Sequence, residues 1–211
     1  RQLEQIWRFL RKPSRTGGHT GDIDFPRTVE RLARQGWLDQ PEWQHDKLNK
    51  IHLVLLLDHG GSMLAWHGLA RQLAASARSG GGHDRAEIFW FCNLPHQFET
   101  AQKPGLLFRD PAHLHPEKLD KLLQRCSKQN TEILIFSDAG AARGRLHSDR
   151  ARQTREWMTL LQKHVSTIAW LNPTPRHRWY GSTAEWIAGQ VQMFETTPHG
   201  LMSAVNHKRG R

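Results

Sequence analysis

Two aspartates stand where short aliphatic runs stop. Asp58 follows Leu53–Leu57 and opens the segment Asp58-His59-Gly60-Gly61-Ser62-Met63, and Ser137-Asp138-Ala139-Gly140 closes the run that begins at Thr131. Two acids at strand ends, with the Ser62 hydroxyl at a helix start, would make an oxygen-rich pocket. Hard cations such as Mg2+ take such ligands and keep several waters. Each residue also has a plainer use. Ser62 can cap the following helix, and a strand-end aspartate can accept hydrogen bonds from nearby backbone amides. The metal reading rests on the combination.

Other chemistries are less well served. The chain has 14 histidines, His113-Leu114-His115 among them, but no Cys or carboxylate at zinc-ligand spacing accompanies that pair. Ser62 lies in Gly-Gly-Ser-Met rather than in a Gly-x-Ser-x-Gly nucleophile elbow. Neither Gly60-Gly61 nor Gly80-Gly81-Gly82 is followed by the Gly-Lys-Ser/Thr of a phosphate loop. A hydrolase built on Asp58 and Asp138 would still need a general base within reach of the attacking water.

The elements that must position these residues follow from hydrophobic patterning. From residue 51 onward, aliphatic runs predict strands over 51–57, 86–92, 131–137, 165–171 and 190–194, with a short edge strand at 96–100. Helical patterns alternate with them. One covers 63–78, and one covers 116–126 with Leu119, Leu122, Leu123 and Cys126 on a stripe. A third covers 150–164 with Trp157, Leu160, Leu161 and His164 on a stripe, and Thr197-Pro198 opens a closing helix through Leu201, Met202 and Val205. Ser182-Thr183-Ala184-Glu185 has the spacing of a capping box. Such alternation predicts an α/β fold, a doubly wound, mostly parallel sheet with helices on both faces. Ligands of these sheets bind beyond the carboxyl ends of the strands, near the point where strand order reverses.

Residues 1–50 differ in character and are expected to form a helical lead-in to the α/β domain of residues 51–211. A basic helix over 3–10, a Gly/Thr-rich link over 16–21 and a helix from Pro26 make up this reading. In that last helix Val29, Leu32, Ala33 and Gly36 share a face. Trp37 and Trp43 follow in a Pro-containing segment.

A length of 211 residues suits one well-cored domain, and 37% hydrophobic with 24% charged residues is lean but not a disordered composition. No apolar run approaches the ~20 residues that span a bilayer, and no signal segment opens the chain. Cys92 and Cys126, the two cysteines, both sit in apolar patterns and are expected to be buried thiols of a reducing, cytoplasmic protein. Because the chain opens on Arg1 rather than Met, it is read as a piece of something longer.

The net charge is +10, and it is unevenly placed. Arg143, Arg145, Arg150, Arg152, Arg155, Lys163, Arg176 and Arg178 face only Asp149 and Glu156 across that stretch, leaving six of the ten net charges there. The first five of these arginines follow the strand that carries Asp138, so they should flank the pocket mouth. A solvated helix face, an acidic protein partner and nucleic-acid phosphate all fit such a patch. No nucleic-acid motif accompanies it, which favours the protein partner.

An aliphatic strand, an Asp-led loop ending in Gly-Ser-Met, a helix and a later strand ending in Ser-Asp together resemble a von Willebrand factor A domain. The chain is more particularly similar to the bacterial CoxE-like branch, whose members work with MoxR-type AAA+ ATPases. The matching segments are Trp7-Arg8-Phe9-Leu10-Arg11-Lys12-Pro13, Asp22-Ile23-Asp24 with Thr28-Val29, residues 55–63, Phe91-Cys92-Asn93, Ser137-Asp138, Trp170-Leu171-Asn172-Pro173 and residues 179–185. The resemblance implies a metal-ion-dependent adhesion site holding Mg2+ through Asp58, Ser62 and Asp138, with an open position for a partner's Asp or Glu. It also implies a non-enzymatic protein-binding module, the adaptor or recognition partner of a MoxR-type ATPase. Related bacterial proteins occur in multi-component conflict systems. The chain departs from the family pattern in two places. Gly60 stands where the adhesion-site loop carries its middle hydroxyl, and residues 101–117, the loop that should supply a Thr, contain neither Ser nor Thr. Thr100 or Asp110 could stand in.

Overall fold

The computed structural model describes residues 13–23, 25–37, 40–49, 51–79, 85–95 and 105–208. The expected helix over 3–10, the expected edge strand over 96–100 and Thr100 lie outside them. The chain divides into two compact units, of which residues 12–50 form the smaller.

The smaller unit, residues 12–50, is not the simple helical lead-in that patterning implied. Strand β1 (Pro13–Ile23) pairs antiparallel with β2 (Trp43–Asn49), so the Gly/Thr-rich stretch expected to be a link is strand. Between them runs helix α1 (Phe25–Gln35), with Pro26 in its first turn, where a missing N–H costs nothing. Gly36, at φ 75°, closes the helix in the left-handed conformation that glycine adopts without strain. Thr28 Oγ1 accepts from Glu42 N (3.0 Å), and Arg31 pairs with Glu42 at 2.7 Å. The apolar stripe is not buried, as Val29 is 62% and Leu32 44% exposed.

The larger unit is a seven-stranded sheet in the order β6-β5-β4-β3-β7-β8-β9. Its strands are β3 (His52–Asp58), β4 (Arg85–Phe91), β5 (Leu106–Phe108), β6 (Pro116–Lys118), β7 (Thr131–Phe136), β8 (Thr167–Asn172) and β9 (Gln192–Glu195). Strands β4, β3, β7, β8 and β9 run parallel, while β5 is antiparallel to both of its neighbours. Alternate residues of β3 feed two cores, as the period of a strand requires. Val54 and Leu56 pack with helices α3 (Leu119–Leu123), α4 (Ser148–His164) and α5 (Thr183–Ala188). Leu53, Leu55 and Leu57 pack with α2 (His67–Ser79) and α6 (Pro198–Lys208). The architecture is the alternating, mostly parallel α/β one that patterning predicted, with helices on both faces. Among the described residues no helix is long and apolar enough to cross a membrane.

The expected helix over 116–126 is shortened at both ends. Its first three residues pair with β5 and extend the sheet edge, and α3 stops at Leu123. The expected helix over 63–78 begins as a 3-10 turn, Gly61–Trp66, before α2. Ser182 caps α5 by accepting from Ala184 N at 3.1 Å, but Glu185 reaches back to Gly181 N rather than to the cap residue's own amide.

Candidate functional site

Strand order reverses between β3 and β7, and their carboxyl ends carry Asp58 and Ser137-Asp138. The sheet thus brings together two residues 80 apart in sequence, both fully buried. Asp58 Oδ1 accepts from Gly60 N and Asn93 N, each at 2.9 Å, and Oδ2 accepts from Ser137 Oγ at 2.6 Å. Asp138 Oδ1 accepts from Gly140 N (3.1 Å) and Oδ2 from Ala142 N (3.2 Å), which fastens the turn after β7. That turn is sharp. Ala139 (φ 52°) and Gly140 (φ 83°) are both left-handed, a conformation that costs a non-glycine residue of order 1 kcal/mol.

Two asparagines, to which sequence reasoning gave no role, hold the strand ends in place. Asn172, at the end of β8, donates from Nδ2 to Asp138 O at 3.0 Å, and its Oδ1 accepts from both Thr174 N and Thr174 Oγ1. Asn93, just past β4, adopts φ 59°, which asparagine tolerates better than other non-glycine residues. Both lie in segments that carried the family resemblance, and this was the one signal pointing to them.

Arg150 is the second departure from expectation. Patterning placed it in an exposed partner-binding patch with Arg143, Arg145, Arg152 and Arg155. In the fold its side chain is only 7% exposed. It projects from the first turn of α4 into the aspartate site. There Nη1 donates to Asn93 Oδ1 (3.2 Å) and Nη2 to Asn93 O (3.3 Å). Nη2 lies 3.9 Å from Asp58 Oδ2 and 4.0 Å from Asp138 Oδ1. The other four arginines are exposed. Arg152 pairs with Glu156 at 3.0 Å, and the Arg155 guanidinium lies 4.8 Å over the Trp186 ring.

Burial pushes the Asp58 carboxyl above its ordinary range, against the pull of Ser137, the Gly60 and Asn93 amides and the Arg150 charge. Burial likewise lowers Arg150, against the two aspartates. Cys92, expected to be buried, is exposed at the end of β4, because the strand stops at Phe91 and the next residue leaves the sheet. Partial desolvation of this exposed residue by its neighbours, with the Asp58 charge, raises its thiol. Cys126 is partly buried, with its thiol pushed up to about 11 by burial and the Glu87 charge.

These residues do not fit a resident Mg2+. Ser62 Oγ is shielded from solvent and lacks a hydrogen-bond partner, which is the one feature that favours an ion. Against it, both oxygens of each aspartate already accept hydrogen bonds, and Asp110 spends its carboxylate on Leu114 N, His115 N and the His115 ring. Arg150 also already places a positive charge about 4 Å from both carboxylates, so a cation beside them would meet a like charge.

The fold and site define a Rossmann-like α/β domain with a buried acidic centre at its topological switch point. No family model matches the chain, and neither do any curated protein or solved structure.

Proposed function

We propose that this chain is a non-enzymatic protein-docking module of the von Willebrand factor A type, and that it serves as adaptor or recognition partner of a MoxR-type AAA+ ATPase. One observation carries the reading. The loops that follow the adjacent parallel strands β3, β7 and β8 present Leu64 (71% exposed), Leu146 (53%) and Tyr180 (83%) on the same edge of the sheet. Exposed Arg143, Arg145, Arg176 and Arg178 belong to the same loops. Apolar and aromatic anchors among arginines are the composition of a protein interface. The positive charge selects an acidic partner surface and speeds encounter with it. The buried aspartates support a positioning role rather than a reacting one. Neither carboxylate reaches solvent, and each oxygen already accepts a hydrogen bond.

Direct binding to purified MoxR-type ATPases tests the reading. The wild-type chain should bind one of them, and the triple variant Arg143→Ser/Arg145→Ser/Tyr180→Ala should bind at least about tenfold more weakly while melting at the wild-type temperature. Failure to bind any such ATPase, together with salt-steep binding to duplex DNA, would replace the proposal with a nucleic-acid role for the same patch.

A further inference from the structure

Three features around Arg150 converge on one explanation. The first is charge. Asp58 and Asp138 are both fully buried, and among the described residues Arg150 is the cation whose guanidinium comes within 4.0 Å of both. An uncompensated buried carboxylate is costly, so whatever balances this pair is part of the site. The second is anchorage. Asn93 holds Nη1 and Nη2 through its side-chain and main-chain oxygens, and Asn93 N in turn donates to Asp58 Oδ1. Thr154 Oγ1 donates to Arg150 O at 2.7 Å and steadies the first turn of α4. The cation is therefore built in and does not arrive with solvent.

The third is space. A Cβ added at Gly60 would stand 3.1 Å from Asn93 Nδ2 and 3.2 Å from Asp58 Oδ1. Those distances are tight, so a residue with a side chain at 60 would press on the carboxamide that positions Arg150. At Gly140 an added Cβ would crowd Thr183, 3.2 Å from its Cβ, and would stand in ordinary contact with Arg150 Nη1 at 3.8 Å. A side chain at position 60 and the Asn93–Arg150 pair would thus compete for the same space.

We propose that Arg150 is the resident cation of this site. Its guanidinium, clamped by Asn93 between Asp58 and Asp138, supplies one positive charge to the two carboxylates, and the backbone amides and Ser137 hydroxyl that bond to them stabilise the rest, so the acidic centre is complete without metal. The inference concerns the state of the isolated chain and does not rest on the docking partner. Arginine suits the task because it keeps its charge at any physiological pH and offers five donors in a fixed plane. Lysine would keep the charge but not the two-point hold on Asn93. The site is then formed as soon as the chain folds, and the Leu64, Leu146 and Tyr180 loops are set independently of the metal supply.

Thermal melts and calorimetric titration with Mg2+ and Mn2+ test this on the full chain. The wild-type melting temperature should not respond to millimolar Mg2+, millimolar Mn2+ or EDTA, and the titrations should give no heat. Arg150→Met keeps much of the side-chain volume and removes the charge, so it should melt about 6–12 °C lower, the effect of stripping a buried charge of its partner. Adding Asp138→Asn to Arg150→Met removes one of the two stranded carboxylates and should recover part of that loss. Saturable binding of either ion by the wild type, abolished by Asp138→Asn, overturns the proposal. So does a double variant no more stable than Arg150→Met, which would make Arg150 a packing residue. If Arg150→Met does not fold, the wild-type titration and the stability of the double variant still decide.

Discussion

The larger unit contains two clusters made from the same ingredients, a pair of carboxylates and arginine, and they are built in opposite ways. Near the start of β4, Glu87 is only 4% exposed and is gripped directly by three arginines and a histidine whose charge burial disfavours. His52 stands at 2.9 Å, Arg85 at 3.0 Å, Arg125 at 3.0 Å and Arg109 at 3.2 Å. Glu117 joins through Arg109 at 2.5 Å and through Arg125. At the other end of the sheet, Asp58 and Asp138 are bound mainly by backbone amides and Ser137, and their arginine stands off at 3.9–4.0 Å. The electrostatic result has opposite sign. Burial acts to raise both acids, but at Glu87 the Arg125 hydrogen bond and charge, with Arg85 and His52, outweigh it and the carboxyl ends below its ordinary value. At Asp58 burial wins. The first cluster rewards ionisation and ties β4, β6 and the loop after α3 together. The second holds charge against its own desolvation cost, at the point where the strand order reverses.

The largest effect that would separate the two clusters is expected at Glu87. Glu87→Gln removes the hub of three arginines and should cost about 3 kcal/mol in a urea melt at neutral pH. Because folding depresses the Glu87 pKa, its contribution is present above the unfolded value of 4.5 and is lost as pH falls through the lower folded value. The variant should therefore show a shallower loss of stability below pH 4.5 than the wild type. An unchanged acid slope would mean that other carboxylates dominate that window. A smaller effect is expected at Asn93. Asn93→Ala deletes the side-chain half of the Arg150 clamp and places alanine at a left-handed position, for about 1–3 kcal/mol. Asn93→Gly, which makes the same deletion but adopts the left-handed backbone without strain, should be milder by about 1 kcal/mol. Equal losses would show that the left-handed backbone costs nothing there.

The smallest effect belongs to an arginine two residues from the site. Arg152 is 60% exposed and pairs only along its own helix, so Arg152→Ser should change stability by less than about 0.5 kcal/mol. A loss comparable to that of Arg150→Met would erase the distinction between the buried and the solvated arginines of α4.

Much of the larger unit was legible because its signals are local. Leu53–Leu57 and the apolar run from Thr131 have the composition of strands buried on both faces, and a residue that ends such a run is placed by that fact alone. The strand-end positions of Asp58 and Asp138 are therefore legible without the sheet order. The β1–β2 pair was not legible. Its first strand, Pro-Ser-Arg-Thr-Gly-Gly-His-Thr-Gly-Asp-Ile, has no apolar alternation, and only antiparallel pairing with Trp43–Asn49 makes it a strand.

The amino-acid order by itself determined the alternation of strands and helices and the acids at the strand ends, since both depend on periodicity within a dozen residues. Only the tertiary structure decided which arginine serves those acids. In sequence Arg150 and Arg152 are alike, two charges in one basic stretch. The phase of α4 turns the first toward the sheet and leaves the second in solvent. The order β4-β3-β7 then sets Asn93, Asp58 and Asp138 side by side to receive it, because burial and charge balance belong to the packed chain and not to any one segment.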